Sequence, residues 1–182
     1  MPVLSRAVLV AAALAVAPVA VAQPVLPGSG GAPAPSGAAP GGALTKITPQ
    51  QLAQYYSGLT LNGQPIQTSI KTFDDGTSVV VLPLWGSKLY SGITLQVCEK
   101  DGSGCHWLEF FANLGKQGSV DANWINAFNR NFLGAKAYTL ASGELVFALD
   151  MSLFPGVSPS EIGWYTSFFK HVVDDSFKFK PQ

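Results

Sequence analysis

Two cysteines, Cys98 and Cys105, and two histidines, His106 and His171, are the sharpest chemical signals in this 182-residue chain. Six residues, two of them glycines, separate the cysteines, so paired strands can bring both sulfurs together. Closing so short a loop adds about 2–3 kcal/mol on chain-entropy grounds. A redox-active dithiol needs the C-x-x-C spacing that lowers one thiol's pKa, and that spacing is absent. The pair reads as a structural disulfide. With both thiols oxidised, the remaining metal ligands are two scattered histidines and some carboxylates, with no H-E-x-x-H or paired C-x-x-C pattern. No metal and no cofactor is expected. There is no G-x-S-x-G elbow for nucleophilic catalysis, and Ser87, Ser142 and Ser158 fall in turns and caps. Glu144 and Asp150 share one face of a predicted strand and read as solvated strand ends, because an acid/base pair needs both groups around a pocket. No catalytic residue is assigned.

Residue types suited to binding are more numerous. Asn123, Asn126, Asn129 and Asn131 crowd one predicted helix, although asparagine is a modest helix former. They read as a polar face bonding into neighbouring turns, or as a patch for peptide backbone. Trp124, Phe128 and Phe132 recur at i, i+4 and i+8 and belong to the core. Burial explains Trp85 in a turn, Trp107 on a strand and Trp164 beside Tyr165 less fully. Aromatic residues dominate interface hot spots. The candidate partner contacts are therefore Trp85, Trp107, Trp164, Asn126, Asn129 and Arg130.

The N-terminus bounds where such a site would work. Residues 1–22 have the parts of a secretory signal: Arg6, an apolar run from Ala7 to Ala17, and Ala20-Val21-Ala22 as an A-x-A cleavage site. The run is shorter than the ~20 residues a membrane span needs, and Pro18 interrupts it. Cleavage after Ala22 and a periplasmic or secreted product are expected, which suits the disulfide. Residues 23–45 are almost entirely Pro, Gly, Ala and Ser and read as a disordered linker. Residues 46–180 then form one domain. Losing Arg6 leaves ten basic residues against eleven acidic ones. No basic stripe exists to neutralise phosphates, so nucleic acid is excluded as a partner class. No Lys/Arg-rich amphipathic helix suits a membrane surface either.

The elements that position these residues announce themselves at their ends. Thr48-Pro49-x-Gln51 and Ser158-Pro159-x-Glu161 are capping boxes with proline at the first helical position. Ile47 with Leu52, and Val157 with Ile162, are spaced as hydrophobic staples. Asp121 caps a third helix, with Val120 and Ile125 as its staple, and Gly134 follows its end. Between the first two helices lie four predicted strands: 66–73, 78–84, 89–97 and 106–114. Asp75-Gly76 turns the first hairpin. Strands 136–140 and 144–151 flank Ala141-Ser142-Gly143. Asp174 and Asp175 oppose the dipole at the end of the last helix and mark its stop. The expected order is α-β-β-β-β-α-β-β-α, an α+β fold with helices over an antiparallel sheet.

Residues 46–180 resemble the YbjN family of bacterial proteins. The matching features are Ile125-Asn126 to Asn129-Arg130, the strand Ala135-Lys136-Ala137-Tyr138, Leu149-Asp150 with Gly156-Val157, the cysteine hairpin and the Thr48-Pro49 helix start. The resemblance implies a fold like that of type III secretion chaperones, small α+β domains that bind protein segments and are often dimeric. The family carries the label "putative sensory transduction regulator" and supplies no catalytic residues. The export signal and the cysteine pair depart from a cytoplasmic regulator or chaperone. The expected function is an exported, non-catalytic, chaperone-like domain that binds a protein or peptide in the cell envelope, with a homodimer as a further partner state. A structural, self-associating envelope protein and an enzyme of unrecognised type are the alternatives.

Overall fold

The computed structural model describes residues 43–179, apart from 62, 87, 119 and 133. The expected signal, and the expected linker up to residue 42, lie outside the described residues.

Helix α1 (Pro49–Ser57) starts where the sequence places it. Thr48 Oγ1 accepts from the Gln51 amide, and the Gln51 side chain closes the box on the Thr48 N–H. Helix α3 (Pro159–Ser176) repeats the device with Ser158 and Glu161. Helix α2 (Ala122–Asn131) is capped by Asp121, which accepts from the Trp124 amide. Helix α3 ends at Ser176, beside Asp174 and Asp175 as their place against the helix dipole predicts, and both carboxylates have cationic or donor neighbours. Lys170 and the Trp85 indole bond Asp174, while His171 and Lys178 lie against Asp175.

Six strands make one antiparallel sheet. Strands β1 (Thr60–Leu61) and β2 (Gln64–Pro65) form a separate two-stranded ribbon absent from the expected order. The main sheet comprises β3 (Ser69–Thr72), β4 (Ser78–Val81), β5 (Tyr90–Cys98), β6 (Cys105–Lys116), β7 (Ala135–Thr139) and β8 (Glu144–Ser152), in the order β3-β4-β5-β6-β8-β7. Its first hairpin turns at Gly76, whose φ of +83° is the conformation that favours glycine there. β3 is shorter than the alternation of residues 66–73 suggests. Ile66 is drawn back to the Leu59 carbonyl, and Thr68 donates to the Ala53 carbonyl on α1.

All the helix packing lies on one face. Val80, Ile93, Leu95, Leu108, Phe110, Ala112, Phe147, Leu149 and Met151 project to that side and join Leu52 and Tyr56 of α1, Phe128 of α2, and Ile162, Phe169 and Val172 of α3 in one core. At ~25 cal/mol per Å² of apolar surface, these buried side chains are the main stabilising term. Phe128 stacks on Phe132, lies against Phe147 and meets Phe179 edge-on, so the last described residue, itself half-buried, packs against the core. The other sheet face carries small and mixed side chains. Gly92 is obligatory there: a Cβ would fall 2.5 Å from the Val80 carbonyl oxygen and 3.3 Å from the Phe111 ring.

The domain begins earlier than composition suggests. Leu44 exchanges both backbone hydrogen bonds with Val157, and Ile47 exchanges both with Cys105. Residues 44 and 45, which read as linker, are stitched to the fold.

Candidate functional site

Cys98 and Cys105 face each other across the β5–β6 ladder and are bonded, with an S–S distance of 2.06 Å. The hairpin they close holds the N-terminal segment. His106 Nδ1 lies 2.8 Å from the Thr45 carbonyl oxygen, and Nε2 lies 2.9 Å from Glu99 Oε1. Both partners are acceptors, so only the imidazolium satisfies both at once. The bond to Glu99, then the Thr45 carbonyl, raise the His106 pKa above its ordinary value. Lys46 donates to Ser103 in the same loop.

The six candidate contacts are not brought together into one patch. Trp85 is half-buried: its Nε1 donates to Asp174 at 2.7 Å, its ring meets Phe169 edge-on, and Lys170 lies over it. Burial pushes the Asp174 carboxyl upward, but Lys170 and Trp85 outweigh it and hold the group below the usual carboxylate range. Trp85 thus pins the β4–β5 turn to α3. Trp107 lies on the sheet face away from the helices, with its Nε1 3.4 Å from Asp150. Beside it Lys136 bridges Glu109 at 3.0 Å and Asp150 at 2.9 Å. Burial opposes the charge on Lys136, yet the two carboxylates raise its pKa.

Asn126 and Arg130 are exposed on α2, where Arg130 bonds the Asn126 carbonyl. Asn131 bonds the carbonyl of Ala127, a turn earlier. Asn129 behaves differently, for its side-chain amide bonds the backbone of Ala137 on β7. Trp164 is 53% exposed and stacks on Phe168 along α3.

The sequence predicts a strand at residues 66–73, and the sheet order makes its β3 the outer edge, which no local pattern reports. The Phe73 amide donates to Thr77, so Phe73 directs its backbone at the neighbouring strand. Antiparallel residues alternate between facing their partner and facing away. Ile70 and Thr72 therefore turn their N–H and C=O groups outward. All four residues of β3 are exposed, and Ile70 and Phe73 are 37% and 51% accessible on opposite faces of the strand. Lys71 reaches 4.9 Å over the Tyr90 ring, which packs on Phe111. Nearby, a shallow depression of about 240 Å³ is lined by Val81, Pro83, Leu89, Tyr90 and Ser91 among others, and Tyr90 is its one ionisable lining residue. Among the described residues no group of three or more His, Cys, Asp or Glu is placed to hold a metal ion. No helix among them is long and apolar enough to cross a membrane.

No curated protein matches the chain. Among solved structures, YbjN from E. coli, described as "a putative transcription regulator", superposes with a TM-score of 0.53 at 16% identity, covering 75% of this chain and 94% of that one. The Yersinia pestis type III secretion chaperone SycH, solved in complex with a stable fragment of YscM2, gives a TM-score of 0.41 at 12% identity, covering 73% of this chain and all of that one. Residues 51–179, which hold the sheet, most of α1, and the whole of α2 and α3, match the family model described as "YbjN: Putative bacterial sensory transduction regulator", and the chain belongs to that family.

Proposed function

We propose that this chain is a non-catalytic, chaperone-like binding domain of the cell envelope that captures an extended segment of another protein as an added strand beside β3. The observation that carries this reading is the outward-facing backbone of Ile70 and Thr72. Strand addition draws its affinity from such main-chain groups and its selectivity from side-chain sites on alternate faces. Ile70 on the helix side, and Phe73 with Tyr90 on the other, favour a guest bearing apolar side chains on both faces. The signal-like residues 1–22 support an envelope location, and the Cys98–Cys105 bond is consistent with an oxidising compartment. The bridged carboxylates and the shallow apolar depression favour binding over catalysis.

The test is a photocrosslinking residue at Lys71, used in the envelope fraction of the host. Recovery of defined protein segments is expected. Ile70→Pro removes an outward N–H while sparing the β4 ladder, as proline on an edge strand does. It should reduce capture at least tenfold with a thermal midpoint within a few degrees of the parent, ~1 kcal/mol or less. Undiminished capture by the Ile70→Pro protein would sink the β3 reading. So would loss of capture on Trp164→Ala alone, which would move the contact to α3.

A further inference from the structure

The two edges of the main sheet are unequal. At β7 the outward backbone groups of Ala137 are already occupied. Asn129 Nδ2 donates to the Ala137 carbonyl at 3.1 Å, and the Ala137 amide donates to Asn129 Oδ1 at 2.6 Å. An antiparallel residue sends both groups to its ladder partner or both away from it. These two therefore lie on the side away from β8, where a seventh strand would pair. A primary amide offers one donor and one acceptor side by side, as a peptide unit does. Asn129 is itself exposed on α2, so its side chain is not held there by burial.

We infer that Asn129 is a strand surrogate that seals the β7 edge against a second copy of β7. The copy is the occupant that fits. A two-fold antiparallel pairing centred on Ala137 would place Lys136 opposite Tyr138 of the other chain, and Ala135 opposite Thr139. No like charges meet in that register, and Lys136 is already neutralised by Glu109 and Asp150. An unguarded edge of this kind is a template for self-pairing. This inference stands independently of what binds β3.

The experiment compares the purified protein, as its host processes it, with Asn129→Ala by sedimentation velocity and amide hydrogen exchange. Asn129→Ala should self-associate at least tenfold more tightly than the parent. At dilutions where it is monomeric, the Ala137 amide should exchange at least tenfold faster. Adding Ala137→Pro, which deletes the outward N–H, should return the parent's association behaviour. Asn129→Ser, whose hydroxyl is too short to reach both Ala137 groups, should open the edge too and serves if the alanine variant folds poorly. Unchanged association and unchanged Ala137 exchange in both variants would overturn the inference. Association that Ala137→Pro leaves intact would overturn it as well, because another surface would then be responsible.

Discussion

His106 shows how a single side chain ties two distant parts of the chain. It bonds the Thr45 carbonyl and the Glu99 carboxylate together, and both bonds exist only when the ring is protonated. Its neighbours oppose one another: Glu99 raises the pKa and the Lys46 charge lowers it, with the net shift upward. Because the folded value lies above the ordinary one of ~6.5, the contribution is fully present below that ordinary value. It is lost as pH rises through the folded pKa. An NMR titration should give His106 a midpoint above ~6.5, and Glu99→Gln should bring it down. A midpoint unmoved by that substitution would mean that Glu99 is not its cause. Trp85 is the contrasting case. Its sequence position in a turn suggests exposure, yet its partner Asp174 lies 89 positions away, a distance that no local pattern reports.

The disulfide hairpin is the element whose loss should travel furthest. β5 and β6 are the central ladder, and their far end is closed by Cys98–Cys105. Cys105 pairs in turn with Ile47, immediately before the cap of α1. Gly104 fits closely beneath that segment, for at its φ of +138° a Cβ would lie 3.3 Å from the Ile47 backbone. Replacing both cysteines by serine should lower stability by about 2–3 kcal/mol on the chain-entropy model. Hydrogen exchange should increase first at Ile47 and Cys105, whose amides bond each other's carbonyls, and only later at Phe110 in the core. Uniform loss of protection across β6 would show instead that the bond stabilises the domain as a whole.

At the scale of the whole molecule, what was legible in the sequence was local. Thr48, Asp121 and Ser158 mark the three helix starts among the described residues because capping chemistry is written within four residues. Asp75-Gly76 marks its turn for the same reason. The β1–β2 ribbon escaped because two-residue strands carry no periodicity. The placement of β8 between β6 and β7 is a tertiary choice, as is the use of Asn129 on the backbone of β7. The candidate site suffers most from this limit. Ile70 and Phe73 look like ordinary strand residues until the sheet order makes β3 an edge.

The two backbone pairs of the N-terminal segment also set a path for mechanical load. Tension applied to the chain ahead of Ala43 would reach the Leu44–Val157 pair first and the Ile47–Cys105 pair next. From Cys105 it would pass through the covalent cross-link into β5, so it would enter the middle of the sheet and bypass α1. Pulling from the N-terminus in an optical trap should therefore give a lower rupture force, and an earlier extension, when the cross-link is reduced. An identical trace under reducing conditions would show that the load runs through α1 instead.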